Sequence, residues 1–187
     1  MVSLTALWLP ILLSAVIVFV VSSIIHMALP IHKSDYRKLL DEDKVTDALR
    51  STGVTPGRVY VFPYCTMKEM KSPEVQEKFK RGPIGFITIR PSGAPAMGKF
   101  LVQWFLYCIV VGIVAACVAG STLMPGTEYK RVFHVAGIVA FAGYALALIQ
   151  NAIWKGEMWG VTIKHLIDGL IYGLLTAGTF AWLWPKA

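Results

Sequence analysis

Residues 164–178 read KHLIDGLIYGLLTAG: a lysine, a histidine and an aspartate at the head of a run otherwise apolar enough to cross a bilayer. Whether that head is a functional site, or only the end of a spanning helix where it meets water, decides how the fold is read. The composition around it favours a membrane. Of 187 residues 56% are hydrophobic, and the mean hydropathy is +0.60. The apolar residues are gathered in long uncharged runs, a pattern that does not suit a soluble domain.

A helix needs about 20 apolar residues to cross the hydrocarbon core. Four runs qualify: residues 3–29, 100–123, 132–154 and 161–184. Their only acid is Asp168, and their basic side chains are Lys164 and the histidines His26, His134 and His165. Such residues are rare inside membranes, and each asks for a reason. No Lys or Arg precedes the first run, and its apolar stretch exceeds the roughly 7–15 residues of a signal-peptide core, so it reads as a retained helix. The expected fold is an α-helical integral membrane protein with four transmembrane helices. Residues 1–29 form the first, a small α+β insert spans 30–99, and residues 100–187 supply the other three.

Of the 18 Lys and Arg, 13 fall within residues 30–99 against eight acids, a net of +5. The positive-inside rule then makes the insert cytoplasmic, with both chain ends outside. Tryptophans agree: Trp8, Trp182 and Trp184 mark the outer interface, and Trp104, Trp154 and Trp159 the inner one. Within the insert, turn residues separate short patterned pieces. These predict a helix over 41–51, a strand over 58–62, a helix over 73–81 started by Ser72 and Pro73, and a strand over 84–90. So small an insert buries little core unaided, and it is expected to rest on the membrane surface or on a partner. Its basic residues Lys68, Lys71, Lys78, Lys80 and Arg81 suit anionic lipid headgroups or an acidic partner better than nucleic acid.

Helices in lipid associate by close approach at small residues. Three runs carry such a strip: Cys108, Gly112, Ala116 and Gly120; Ala136, Ala140, Gly143 and Ala147; and Gly169, Gly173, Ala177 and Ala181. Beside the last strip lies a polar line, Asp168, Tyr172, Thr176 and Thr179. Near the cytoplasmic face this topology gathers Ser22, Ser23, His26, Gln103, Gln150, Asn151, His165 and Asp168.

The cluster admits two readings. Imidazoles and a carboxylate from different helices can bind zinc or iron, hold a haem between His26 and His165, or pass protons. Alternatively, Lys164 pairs with Asp168 at i, i+4 and the polar residues merely finish the helices. Cys65, Cys108 and Cys117 form no CxxC pair, and the last two lie about 13 Å apart along one helix. No Walker loop, GxSxG or HExxH is present.

The ending DGLIYGLLTAGTFAWLWP, residues 168–185, resembles that of a family of small bacterial integral membrane proteins of uncharacterised function. The resemblance implies a bacterial inner-membrane setting and no activity. The leading expectation is a non-catalytic accessory or assembly subunit of a larger membrane complex, with partner subunits on its small-residue faces. The alternative is a membrane-embedded metal- or haem-binding enzyme or redox carrier using His26, His165 and Asp168. A small proton-coupled transporter comes third, because no helix is visibly broken at mid-depth.

Overall fold

A computed structural model of the chain describes residues 1–186. In chain order its elements are α1 (Trp8–Ser23), α2 (Glu42–Ser51), β1 (Arg58–Phe62), α3 (Pro73–Arg81), β2 (Gly85–Ile89), α4 (Met97–Thr122), α5 (Tyr129–Tyr144), α6 (Ile149–Lys155) and α7 (Trp159–Trp182). The chain divides into two units, Met1–Tyr36 with Ala96–Ala187, and Arg37–Pro95. Residues 30–36, expected in the insert, therefore belong with the helices.

Three stretches are long and apolar enough to cross a membrane: Leu4–Ala28, Met97–Thr122 and Tyr129–Lys155. The fourth long helix, α7, has the length but not the same apolarity. Lys164, His165 and Asp168 in its first turns lower it.

The long helices pack in a ring, α1 on α4, α4 on α5, α5 on α7 and α7 back on α1. Small residues set the spacing, as the missing side chains show. A Cβ on Gly112 would sit 3.3 Å from Ile11 of α1, one on Gly143 3.2 Å from Val111, and one on Gly173 3.2 Å from Phe141. At Gly120 the gap to the Val2 carbonyl oxygen would be only 2.5 Å. Ala116 and Ala177 are fully buried on the same faces.

One end of this unit is closed by the chain termini. Val2 donates to the Gly120 carbonyl at 2.8 Å, Gly126 donates to that of Pro185 at 2.8 Å, and the Trp184 indole donates to that of Met124 at 3.0 Å. Trp184 is thus held inside, and Trp104 likewise bonds Ser22 at 2.8 Å. The core near this end is Leu7, Ala115, Ala119, Val132, Ala136 and Phe180. Toward the other end it becomes aromatic, with Tyr144 and Tyr172 beside Val18, Cys108 and Val111.

Two helices end irregularly where the site lies. α1 runs into a π turn, Ile24–Ala28, closed by Leu29 N–H on the Ile24 carbonyl at 3.1 Å, and Pro30 then starts a 3₁₀ turn through His32. The third apolar stretch is broken rather than continuous. α5 stops at Tyr144, Ala145 leaves helical geometry (φ −128°, ψ −48°), and a short turn leads into α6. No proline or polar residue announces this break. It is made by packing: a Cβ on Gly169 would lie 2.5 Å from that of Ala145, and the Tyr107 hydroxyl takes the Gly143 carbonyl at 2.6 Å.

In the second unit β1 and β2 pair antiparallel, Arg58 opposite Ile89 and Phe62 opposite Gly85, with α3 in their connection. Ser72 caps α3 by accepting from Val75 N–H, and Pro73 opens it. No residue from 37 to 95 is buried. This unit has no core of its own.

Candidate metal centre

The site grows from the two irregular ends and the head of α7. The π turn presents His26, the 3₁₀ turn presents His32, and α7 carries Lys164, His165 and Asp168. π turns are frequent at functional positions because the widened helix re-aims a side chain. Here it brings the His26 ring to 4.3 Å from that of His32.

Lys164 does not pair with Asp168. Its ammonium reaches across to the 30–36 segment instead, donating to the Asp35 carboxylate at 2.6 Å, the Ile31 carbonyl at 2.8 Å and the Ser34 hydroxyl at 2.9 Å. These use all three ammonium protons and clasp the segment to α7. The clasp presses Asp35 into a site where its side chain is 3% exposed. There the Lys164 ammonium, with help from His32, holds its carboxyl below the ordinary carboxylate range against the opposing effect of desolvation.

Asp35 in turn fixes His32. The imidazole donates from Nδ1 to Asp35 Oδ2 at 2.6 Å. In the neutral ring that leaves Nε2 as a lone pair, and it faces Asp168 Oδ2 at 3.0 Å. Neither atom is exposed and neither makes a hydrogen bond of acceptable geometry. A ring lone pair and a carboxylate oxygen repel at that distance unless a cation joins them. One nitrogen of His26 completes the group: single ligand atoms from His26, His32 and Asp168 all lie within 4.8 Å of one another. Two ligands at about 2.0–2.2 Å from a shared zinc stand roughly 3 Å apart when adjacent, the separation of His32 Nε2 from Asp168 Oδ2.

Two of the three residues expected at the site, His26 and Asp168, thus converge on one point. The third, His165, borders it. Its ring stacks on His32 at 5.4 Å between centroids, with Nδ1 3.8 Å from Asp168 Oδ2. The haem arrangement does not fit. His26 and His165 have centroids 6.5 Å apart, and a macrocycle centred between them would run into His32. His134 lies away from the cluster, against Phe133.

The polar line down α7 is mostly spent on the helix itself. Thr176 donates to the Tyr172 carbonyl at 2.9 Å and Thr179 to that of Leu175 at 2.8 Å, a common way to satisfy a hydroxyl in an apolar surround. Only Asp168 and Tyr172 keep buried polar atoms without a hydrogen bond. In the second unit, Lys78 pairs with Glu74 at 2.7 Å and Lys80 with Glu77 at 2.8 Å on the surface of α3, where such pairs add little stability. Lys68, Lys71 and Arg81 share that unit.

His32 and Asp35 were missed from sequence because they lie beyond the apolar run, among ordinary loop charges. Their i, i+3 spacing just after Pro30 was the available signal. No protein-family model, curated protein or solved structure matches the chain.

Proposed function

We propose that this chain is a membrane-embedded metal-dependent enzyme, holding a divalent zinc or iron ion on His26, His32 and Asp168 with Asp35 orienting His32. One observation carries the reading: two buried ligand atoms, His32 Nε2 and Asp168 Oδ2, face each other at 3.0 Å with no hydrogen bond, beside a further imidazole. Three protein ligands match working centres, which keep a coordination position open, rather than closed structural ones. A carboxylate behind a ligating histidine is the usual outer-shell support. A metal bound there would polarise a substrate oxygen or activate a water.

The rival is a plain polar latch, with His32 protonated between two aspartates. Metal analysis of protein purified without chelator separates the two. Wild type is expected to carry stoichiometric zinc or iron, lost in His32→Ala and Asp168→Ala and kept in His134→Ala. Metal-free wild type overturns the enzyme reading.

A second role, as accessory subunit of a larger membrane complex, draws on the uncovered 37–95 unit and its exposed Leu40, Tyr64, Met67 and Ile84. Native electrophoresis after mild extraction is expected to show a large assembly, and a clean monomer removes this reading. We further propose four membrane crossings, α7 being the fourth, with residues 30–99 cytoplasmic and both ends outside. The setting is the bacterial inner membrane suggested by the C-terminal resemblance.

A further inference from the structure

The metal cluster separates two cavities that share His26 and His165. One, about 360 Å³, is lined by His32, Lys33, Asp35 and Tyr36. The other, about 320 Å³, lies on the far side of Asp168, where Trp104, Tyr107, Tyr144, Leu148 and Tyr172 form the walls. It lies beside the point where α5 stops at Tyr144. A helix continued through 145–148 would follow a different path across this space.

The second cavity has few polar atoms to offer a ligand. The Trp104 N–H is taken by Ser22 and the Tyr107 hydroxyl by the Gly143 carbonyl, and the Tyr144 hydroxyl lies beside Cys108 and Thr176. Tyr172 is the exception. The residue is 3% exposed, and its hydroxyl has no partner. One turn before it on α7 stands Asp168, whose unpaired oxygen belongs to the metal cluster. The walls therefore present aromatic faces, one spare O–H donor, and an edge, formed by His26, His165 and Asp168, at the metal cluster. The flank at Tyr107, Gly143 and Ala147 is exposed. It lies beside the break in an apolar stretch, so in a bilayer it faces lipid.

Aromatic walls suit a flat ring, the unpaired Tyr172 hydroxyl calls for an acceptor oxygen, and entry from lipid calls for a neutral molecule. We propose that this cavity takes a neutral, lipid-soluble ring bearing a carbonyl or hydroxyl oxygen, of the quinone or phenol class. The oxygen accepts from Tyr172 and faces the metal site. The inference rests on the metal reading for what the bound ring then meets, and on Tyr172 and the aromatic walls for binding itself.

Menadione, a neutral naphthoquinone, tests it on the full chain in nanodiscs, by quenching of tryptophan fluorescence with Trp104→Phe as the reporter control. Wild type is expected to bind saturably. Tyr172→Phe, which keeps the ring and the fold, is expected to weaken binding roughly three- to tenfold, the worth of one net hydrogen bond. Ala147→Trp, which fills the mouth, is expected to abolish it. Unsaturable partitioning, or equal affinity in Tyr172→Phe, overturns the proposal. Metal content is measured on the same samples. Metal without saturable binding removes this inference and leaves the metal centre, whereas saturable Tyr172-dependent binding in metal-free protein removes the centre and leaves the pocket.

Discussion

His32 joins the two halves of the site, and the sequence conceals it. His26, His165 and Asp168 stand out because an apolar run makes any polar residue conspicuous. His32 and Asp35 lie in a loop rich in charge, where nothing marks them until Pro30 turns the chain back and Lys164 clasps it. The same conspicuousness misassigned Lys164: with Asp168 four residues away, a local pair is the simplest reading, but the ammonium finds three better acceptors in the 31–35 segment. Two predictions belong to these residues. Asp35→Asn leaves every metal ligand in place but removes the charge behind His32, so metal affinity is expected to fall about tenfold, the low end for an outer-shell change. Competition with a chelator of known affinity measures it. In the metal-free protein the same variant tests the clasp. Asp35 has its carboxyl held low in the folded state, so its contribution is complete above the ordinary carboxylate pKa and is lost as pH falls through the folded value. Wild type is expected to exceed Asp35→Asn at pH 7 by roughly 1–3 kcal/mol, less than a fully buried pair gives because Lys164 is partly exposed. The difference in Tm should persist down to pH 5 and close below about pH 4. A gap that widens in acid contradicts the assignment.

At the scale of elements, small-residue strips announce helix contacts and conceal helix breaks. The strips at Gly112 to Gly120 and Gly169 to Ala177 are readable because only close backbone approach explains glycine and alanine at four-residue intervals in a bilayer. The seam Ala136, Ala140, Gly143 and Ala147 reads the same way, yet the helix leaves regular geometry at Ala145 between its last two members. The cause is tertiary. Tyr107 from α4 satisfies the Gly143 carbonyl, and α7 comes so close at Gly169 that only a displaced Ala145 fits. Backbone groups freed inside a membrane protein persist only when a neighbour re-satisfies them, and no local pattern records that neighbour. Gly169→Ala should therefore push the break out of place and destabilise the protein by about 1–3 kcal/mol, as overpacking does. Gly160, on the same helix with nothing within 4 Å of a built Cβ, is the control. Gly160→Ala is expected to be neutral or to stabilise by up to about 1 kcal/mol through helix propensity. Thermal unfolding in detergent compares them, and equal behaviour would mean that the Gly169 contact is loose.

For the molecule as a whole, α7 decides between three crossings and four, and hydropathy alone counts three. Eleven of its 24 residues are buried, against seven of 26 in α4. A helix so enclosed meets protein where another meets lipid, and it tolerates Asp168 and four hydroxyl-bearing side chains because they face neighbours or bond back to their own turn. Its lower apolarity goes with its enclosed position in the ring, which supports the fourth crossing proposed above. The ends of the helical unit support the same proposal, since Val2 bonds to Gly120 near the end of α4 and Pro185 to Gly126 in the α4–α5 connection, while Lys33 lies at the histidine end. The proposed fourth crossing makes a prediction about sidedness. In a background with Cys65, Cys108 and Cys117 replaced, single cysteines are placed by Ser3→Cys, Lys33→Cys and Lys186→Cys, and intact cells are treated with a membrane-impermeant maleimide. With four crossings, positions 3 and 186 react from outside and position 33 reacts only after permeabilisation. With three crossings and α7 lying at the surface, position 186 would label with position 33 and against position 3. That result would put the Asp168 cluster at the water interface, where the carboxylate needs no metal to offset its burial.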